Sequence, residues 1–182
     1  MSASSLVAIL GPVPVLGTLS FLGWAGLRRR RLRAAFGPEY DRVARERESV
    51  RAAERELVRR TRRHRSLPLR PIGPGAQNSY ALSWRRLRGR FADDPLGAVL
   101  GAEQLVGNVA TSRGYPADCS GERLALLSVE HPRALTGYRE AQSAGERGRT
   151  GAATNDELRR ALAQYHVLFT ELLVTPVPVR LR

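Results

Sequence analysis

The feature that most restricts what this chain can become is the run from Leu6 to Leu27, LVAILGPVPVLGTLSFLGWAGL, 22 residues without a charged side chain. As a helix it would extend roughly 33 Å, enough to cross a bilayer hydrocarbon core of about 30 Å. Pro12 and Pro14 each remove a backbone donor, so the outer third is expected to be kinked or partly unwound, which membrane helices tolerate better than soluble ones. Trp24 stands near the inner end, where an indole prefers the interface. A cleaved signal peptide would need a basic n-region and a shorter apolar run, whereas MSASS carries no basic side chain. A presequence would interleave its arginines with apolar residues; here they follow in one block, Arg28 to Arg31. The expectation is a transmembrane anchor over 1–27, with a buried helix of a soluble domain as the alternative. Gly11, Gly17, Gly23 and Gly26 show no GxxxG spacing, so no dimerisation face is inferred for it.

Orientation follows from charge. Arg28, Arg29, Arg30, Arg31 and Arg33 adjoin one end of the run and only an α-amine stands at the other. The positive-inside rule then leaves residues 28–182 cytoplasmic at the plasma membrane, with the N-terminus outside. The net charge of +13 is concentrated in the same region. Residues 28–70 hold 16 Arg against 6 acids, while residues 71–182 hold 14 Arg against 11. All 30 basic residues are Arg, a pattern that codon bias in a GC-rich genome explains. The lone Cys119 excludes an internal disulfide framework.

From Pro38 to about Ser66 the chain is rich in Arg, Glu and Ala with no breaker, which predicts one charged helix within a basic juxtamembrane region, 28–66. Pro38 suits a first helical position, and Glu39 and Asp41 complement the positive helix start. Phe36, Tyr40, Val43, Val50 and Leu57 fall on a heptad-like spacing that Arg47 and Glu54 interrupt, so a solvated helix docking at most a narrow stripe is expected. Candidate contacts to anionic lipid headgroups are Arg28, Arg29, Arg30, Arg31, Arg33, Arg59, Arg60, Arg62, Arg63 and Arg65. The same arginines suit nucleic-acid phosphates, although no RNP, zinc-finger or related motif accompanies them.

Residues 67–76 read as a Pro/Gly linker, and 77–174 as a bundle of four to five helices. Tyr80, Trp84, Leu87 and Phe91 mark its first helix; Asp94 and Pro95 open the second, as N-cap and first position. The second helix carries Leu96, Val99, Leu100, Val106 and Ala110, with Glu103 in the stripe needing an Arg partner if buried, and Gly114 ending the segment. Leu124 and Leu127 mark a short helix; Leu135 and Tyr138 mark another that fades at Gly145–Gly151 into a mobile loop. Thr154 and Glu157 form a capping box before the clean stripe Leu158, Ala161, Leu162, Tyr165, Leu168, Phe169, Leu172 and Leu173. Residues 175–182 are expected to be a flexible tail. The fold class is all-α, with Trp84, Leu87, Phe91, Leu100, Leu162, Tyr165 and Phe169 as core.

Nothing in the sequence forms a catalytic constellation. His64, His131 and His166 lie in three segments, without metal-ligand spacing to each other or to Cys119. There is no Walker A loop, GxSxG or dinucleotide fingerprint. No cofactor or metal is expected, and an enzyme using Glu103 or His131 is the least favoured alternative.

Several stretches resemble a family of uncharacterised actinobacterial proteins with an N-terminal apolar segment. They are Phe36-Gly37-Pro38-Glu39-Tyr40-Asp41-Arg42, Tyr80–Trp84, Phe91–Pro95, Arg113-Gly114-Tyr115-Pro116, Leu127–Pro132, Tyr138-Arg139 and Leu168-Phe169, covering most of 36–173. The resemblance implies the same architecture and a bacterial origin, and supplies no catalytic residues. Members of that family are often labelled secreted, the topology opposite to the one expected here. The reading as a whole is a membrane-anchored, non-enzymatic helical module with a protein partner.

Overall fold

The computed structural model describes residues 26–117 and 120–174, and every regular element among them is a helix. The expected anchor up to residue 25, Cys119 and the tail at 175–182 lie outside the described residues. Among those described, no helix is long and apolar enough to cross a membrane.

Residues 26–36 are helical. They are followed by α1 (Pro38–Glu46), α2 (Val50–Ser66), α3 (Pro74–Arg90), α4 (Pro95–Ser112), α5 (Ser120–Leu127), α6 (Pro132–Arg149) and α7 (Asn155–Val174). Central α7 packs on both α4 and α6, with α3 against α4; α1 docks on α6, and α2 on α1 and α5.

The predicted single helix from Pro38 to Ser66 is in fact two. Arg47 is extended, and Ser49 caps α2 by accepting a hydrogen bond from the Ala52 amide at 3.2 Å. The break lets α1 fold back on α2, so that Phe36, Tyr40, Val43, Ala53 and Leu57 bury one another in a second small core. A straight helix would have left that interrupted stripe half in water, so the cap and the apolar contact act together. The segment is therefore docked, and the solvated-helix expectation is corrected.

The linker is corrected too. Helix α3 starts at Pro74, and the residues before it are packed: Ile72 is buried, with Leu67 and Leu69 against the main core. The Arg70 amide donates to the Arg113 carbonyl at 2.9 Å. Gly114 has φ +102°, and a Cβ there would stand 2.7 Å from the Pro68 carbonyl oxygen. The expected stop at Gly114 is thus also the seat of the incoming segment.

Helix α6 does not fade at Gly145. It continues through Gly148 to Arg149 because these small residues face neighbouring helices. A Cβ at Gly145 would lie 3.6 Å from Leu100, and one at Gly148 2.7 Å from Leu96 and 3.3 Å from Leu158. Glycine in a helix interior costs about 1 kcal/mol relative to alanine. Close packing of α6 on α4 and α7 offsets that cost.

Local start signals hold. Asp94 accepts from the Gly97 amide at 2.8 Å, and the Thr154–Glu157 box closes in both directions, at 3.2 and 2.8 Å. Of the expected core, Trp84, Leu162, Tyr165 and Phe169 are buried, with Trp84 stacked on Phe169 at 4.8 Å between centroids. Leu87, Phe91 and Leu100 sit at its rim.

Two substitutions test this packing by thermal or denaturant melting. Phe169→Ala, which empties the stacking partner of Trp84, is expected to cost about 3–5 kcal/mol. Gly114→Ala is expected to cost about 1–3 kcal/mol, since it forces a side chain into the left-handed region against Pro68. A Gly114→Ala melt equal to the parent's would show that residues 67–73 are a free linker after all.

Candidate functional site

The ten arginines singled out as anion contacts divide into three groups. Arg60 is buried, 8% exposed, and is withdrawn from the contact set: burial in an ion network leaves it no access to a ligand. Four others are held by acids. Arg28 faces Glu54 at 3.9 Å, Arg33 faces Asp41 at 3.7 Å and lies over the Tyr40 ring, Arg59 bonds Glu56, and Arg63 bonds Glu122. The remaining five, Arg29, Arg30, Arg31, Arg62 and Arg65, are exposed.

Helix geometry explains the division. Ala53, Leu57, Arg60 and His64 recur at 4-3-4 and form the buried face of α2. Arg51, Arg55, Arg62 and Arg65, with Val58 completing the 4-3-4-3 spacing, lie about 160° around the helix from that face. All four arginines are exposed, and none has an acidic partner among the described residues. The Arg28–Glu54 pair brings the Arg28–Arg31 block to the first turns of α2, where Arg51 and Arg55 stand. Folding thus sorts a charge run that looks uniform in sequence into one paired face and one bare face.

Arg60 is inward because of Glu39, which is 1% exposed. The Glu39 carboxylate accepts five hydrogen bonds from three guanidiniums. Arg42 donates at 3.0 and 2.6 Å, Arg60 at 3.0 Å, and Arg139 at 2.6 and 3.2 Å. Arg60 also donates to Glu56 at 2.9 Å and lies 3.5 Å from the Ser128 hydroxyl. Burial alone would raise the Glu39 carboxyl; its hydrogen bonds and charge contacts with Arg42 and Arg139 outweigh that, and the net shift is downward. The sequence assigned Glu39 to the helix dipole and attached no role to Arg139. The only signal available was a carboxylate close to apolar Phe36 and Tyr40.

A second polar cluster joins α2 to the α5–α6 turn and α7. Tyr115, which is buried, donates to Glu130 at 3.2 Å and meets His64 Nε2 at 3.1 Å. A hydroxyl has one proton, so with Tyr115 donating to Glu130, His64 Nε2 is the donor to Tyr115. Burial, and then the Glu130 charge, push the Tyr115 phenol far up, so it stays a donor. His131 Nδ1 lies 2.7 Å from Glu171, and its Nε2 lies 3.9 Å from Glu130. Two histidines that the sequence left unconnected therefore flank one carboxylate. His131 is only 4% exposed, which denies a substrate the reach that a general base requires. Among the described residues no group of His, Cys, Asp and Glu is placed to hold a metal ion. His166 is apart from both, its ring 4.8 Å from Trp84. Glu103 has Gln142, at 2.7 Å, in place of the expected arginine.

No protein-family model, curated protein or solved structure matches this chain.

Glu39 yields a signed pH prediction. Its folded carboxyl is lowered, so its stabilising contribution is fully present above the unfolded value, about 4.3, and is lost as pH falls below it. Glu39→Gln should destabilise by about 3–5 kcal/mol at pH 7, because three guanidiniums lose their shared anion. It should also flatten the acid limb of the stability curve. An unchanged acid limb would assign that limb to other carboxylates.

Proposed function

We propose that this protein is a single-pass, membrane-anchored helical protein that acts without catalysis, as an interaction module held at an anionic membrane surface. The observation that carries the reading is the bare face of α2. Arg51, Arg55, Arg62 and Arg65 are turned away from the fold, and Arg29–Arg31 stand at one end of that helix. Arginines near an anionic leaflet contribute roughly 1 kcal/mol each, an attraction that decays within a Debye length. The charge-free run Leu6–Leu27 ends where this block begins, so an anchor there would deliver the arginines to the headgroups. The Arg block on one side only supports a cytoplasmic location for the bundle. Tethering then raises the bundle's effective concentration toward other membrane proteins without demanding high intrinsic affinity. The resemblance to actinobacterial proteins with an apolar N-terminal segment supports the anchor but not the orientation, since members of that family are often labelled secreted. A nucleic-acid partner would use the same charges; Val58, the one uncharged residue in the stripe, offers no stacking surface for a base.

The protein should partition with membranes. A reporter fused after Arg182 should fluoresce in the cytoplasm, and alkaline phosphatase activity there would reverse the orientation. Protein beginning at Gly26 should bind phosphatidylglycerol vesicles and release them as salt rises. Changing Arg51, Arg55, Arg62 and Arg65 together to Ala should weaken that binding by more than about tenfold with the melt retained. Equal binding to neutral vesicles would remove the lipid reading. Preference for duplex DNA at matched salt would favour nucleic acid.

A further inference from the structure

On the bundle, between α3, α4, α5 and α6, lies a cleft of about 750 Å³, a size typical of small-ligand sites. Most of its lining residues carry a hydroxyl or carboxamide, though about half of the surface they present is apolar, and there is one carboxylate, Glu103, and one guanidinium, Arg123. Both charges are half-buried, and neither forms an ion pair among the described residues. Glu103 accepts from the Gln142 amide at 2.7 Å and has the buried Tyr165 hydroxyl beside it, with Arg149 acting on it only through its charge; Arg123 donates to the Ala117 carbonyl at 3.1 Å. The Arg123 guanidinium lies over Gly107, where a Cβ would stand 3.6 Å from Nη2. Gly107 is one turn along α4 from Glu103, so the two opposite charges belong to the same wall of the cleft.

Opposite charges lining one cleft and partly shielded from water attract one another. Here each is anchored to a different neighbour and the two form no ion pair, so the cleft presents one charge of each sign. Tyr138 lines the cleft; its side chain is buried, yet its hydroxyl makes no hydrogen bond among the described residues. That phenol is pushed up to about 12 by burial and by the Glu103 charge, with Arg123 opposing, so it remains a hydrogen-bond donor beside both charges.

We propose that this cleft binds a small zwitterion, an α-amino acid or dipeptide, with its ammonium on Glu103 and its carboxylate on Arg123. A neutral polyol would satisfy the hydroxyls and amides but leave both charges uncompensated. A phosphate-bearing ligand would bring a second anion toward Glu103. Of these classes a zwitterion meets all of these groups together, through two charge-assisted contacts and the Tyr138 hydroxyl. This site is independent of the arginine face of α2, and its failure would leave the membrane reading untouched.

The test uses the full-length protein in mild detergent, titrated with the proteinogenic α-amino acids and the glycyl dipeptides by calorimetry and ligand-observed NMR. At least one member of the panel should bind. N-acetylation of that probe, which removes the ammonium, and amidation of its carboxylate should each weaken binding by about tenfold or more. Glu103→Gln, which can still accept from Gln142, should reproduce the first loss and leave the N-acetyl probe no weaker than it is with the parent. Arg123→Gln should reproduce the second. Because the probe modifications need no variant, the outcome stands even if a variant melts early. The proposal is overturned if no member binds at about 10 mM, or if N-acetylation and Glu103→Gln both leave affinity unchanged. Displacement of the probe by a neutral disaccharide with equal affinity would also overturn it.

Discussion

A carboxylate taken out of water must recover its hydration energy from the protein, and Glu39 does so by gathering three guanidiniums that belong to three different helices. Each lone-pair direction of the carboxylate is used, by Arg42 from its own helix, Arg60 from α2 and Arg139 from α6. The three cations exceed one anion, and the surplus is met at the edge by Glu46 on Arg42 and Glu56 on Arg60. Without this hub α1 would be attached chiefly through the small cluster around Tyr40 and Leu57, and α2 through that cluster, its packing on α5 and the His64–Tyr115 contact. With it, α1, α2 and the main bundle share one buried electrostatic contact.

The hub also sets the rotation of α2. Once Arg60 and, a turn later, His64 point inward, Arg51, Arg55, Arg62 and Arg65 must point outward, because the helical period leaves no other arrangement. Arg113 plays a comparable part deeper in the structure. Wholly buried, it donates to the Leu172 carbonyl at 2.9 Å near the end of α7, where carbonyls lack intrahelical partners and a cation suits the helix dipole. One residue type thus serves as internal tie, helix-end donor and exposed charge, and neighbouring residues decide which.

Legibility followed the range of the interaction. The caps at Asp94 and Thr154, the stop at Gly114 and the stripe of α7 were readable because their partners lie within four residues. The break at Arg47–Ser49 was missed because Ser49 became a cap only when α1 could fold onto α2. The extension of α6 through Gly148 was missed for a related reason: glycine reads as a breaker until a neighbouring Leu96 or Leu158 requires the space. The cluster of His64, Tyr115, Glu130 and His131 spans 67 positions of chain, and no local spacing announces it.

The sequence by itself determined that the chain is helical, that its positive charge is concentrated beside an apolar run, and where most of the bundle's helices begin. These properties arise from periodicity, capping and hydropathy, which act over one or two turns. Only the tertiary structure decided which arginines are structural and which are bare, that Glu39 is a hub, and that Glu103 and Arg123 face one cleft without touching. Those outcomes depend on which side of each helix meets another helix, and that is settled by burial and by pairing of charges far apart in the chain.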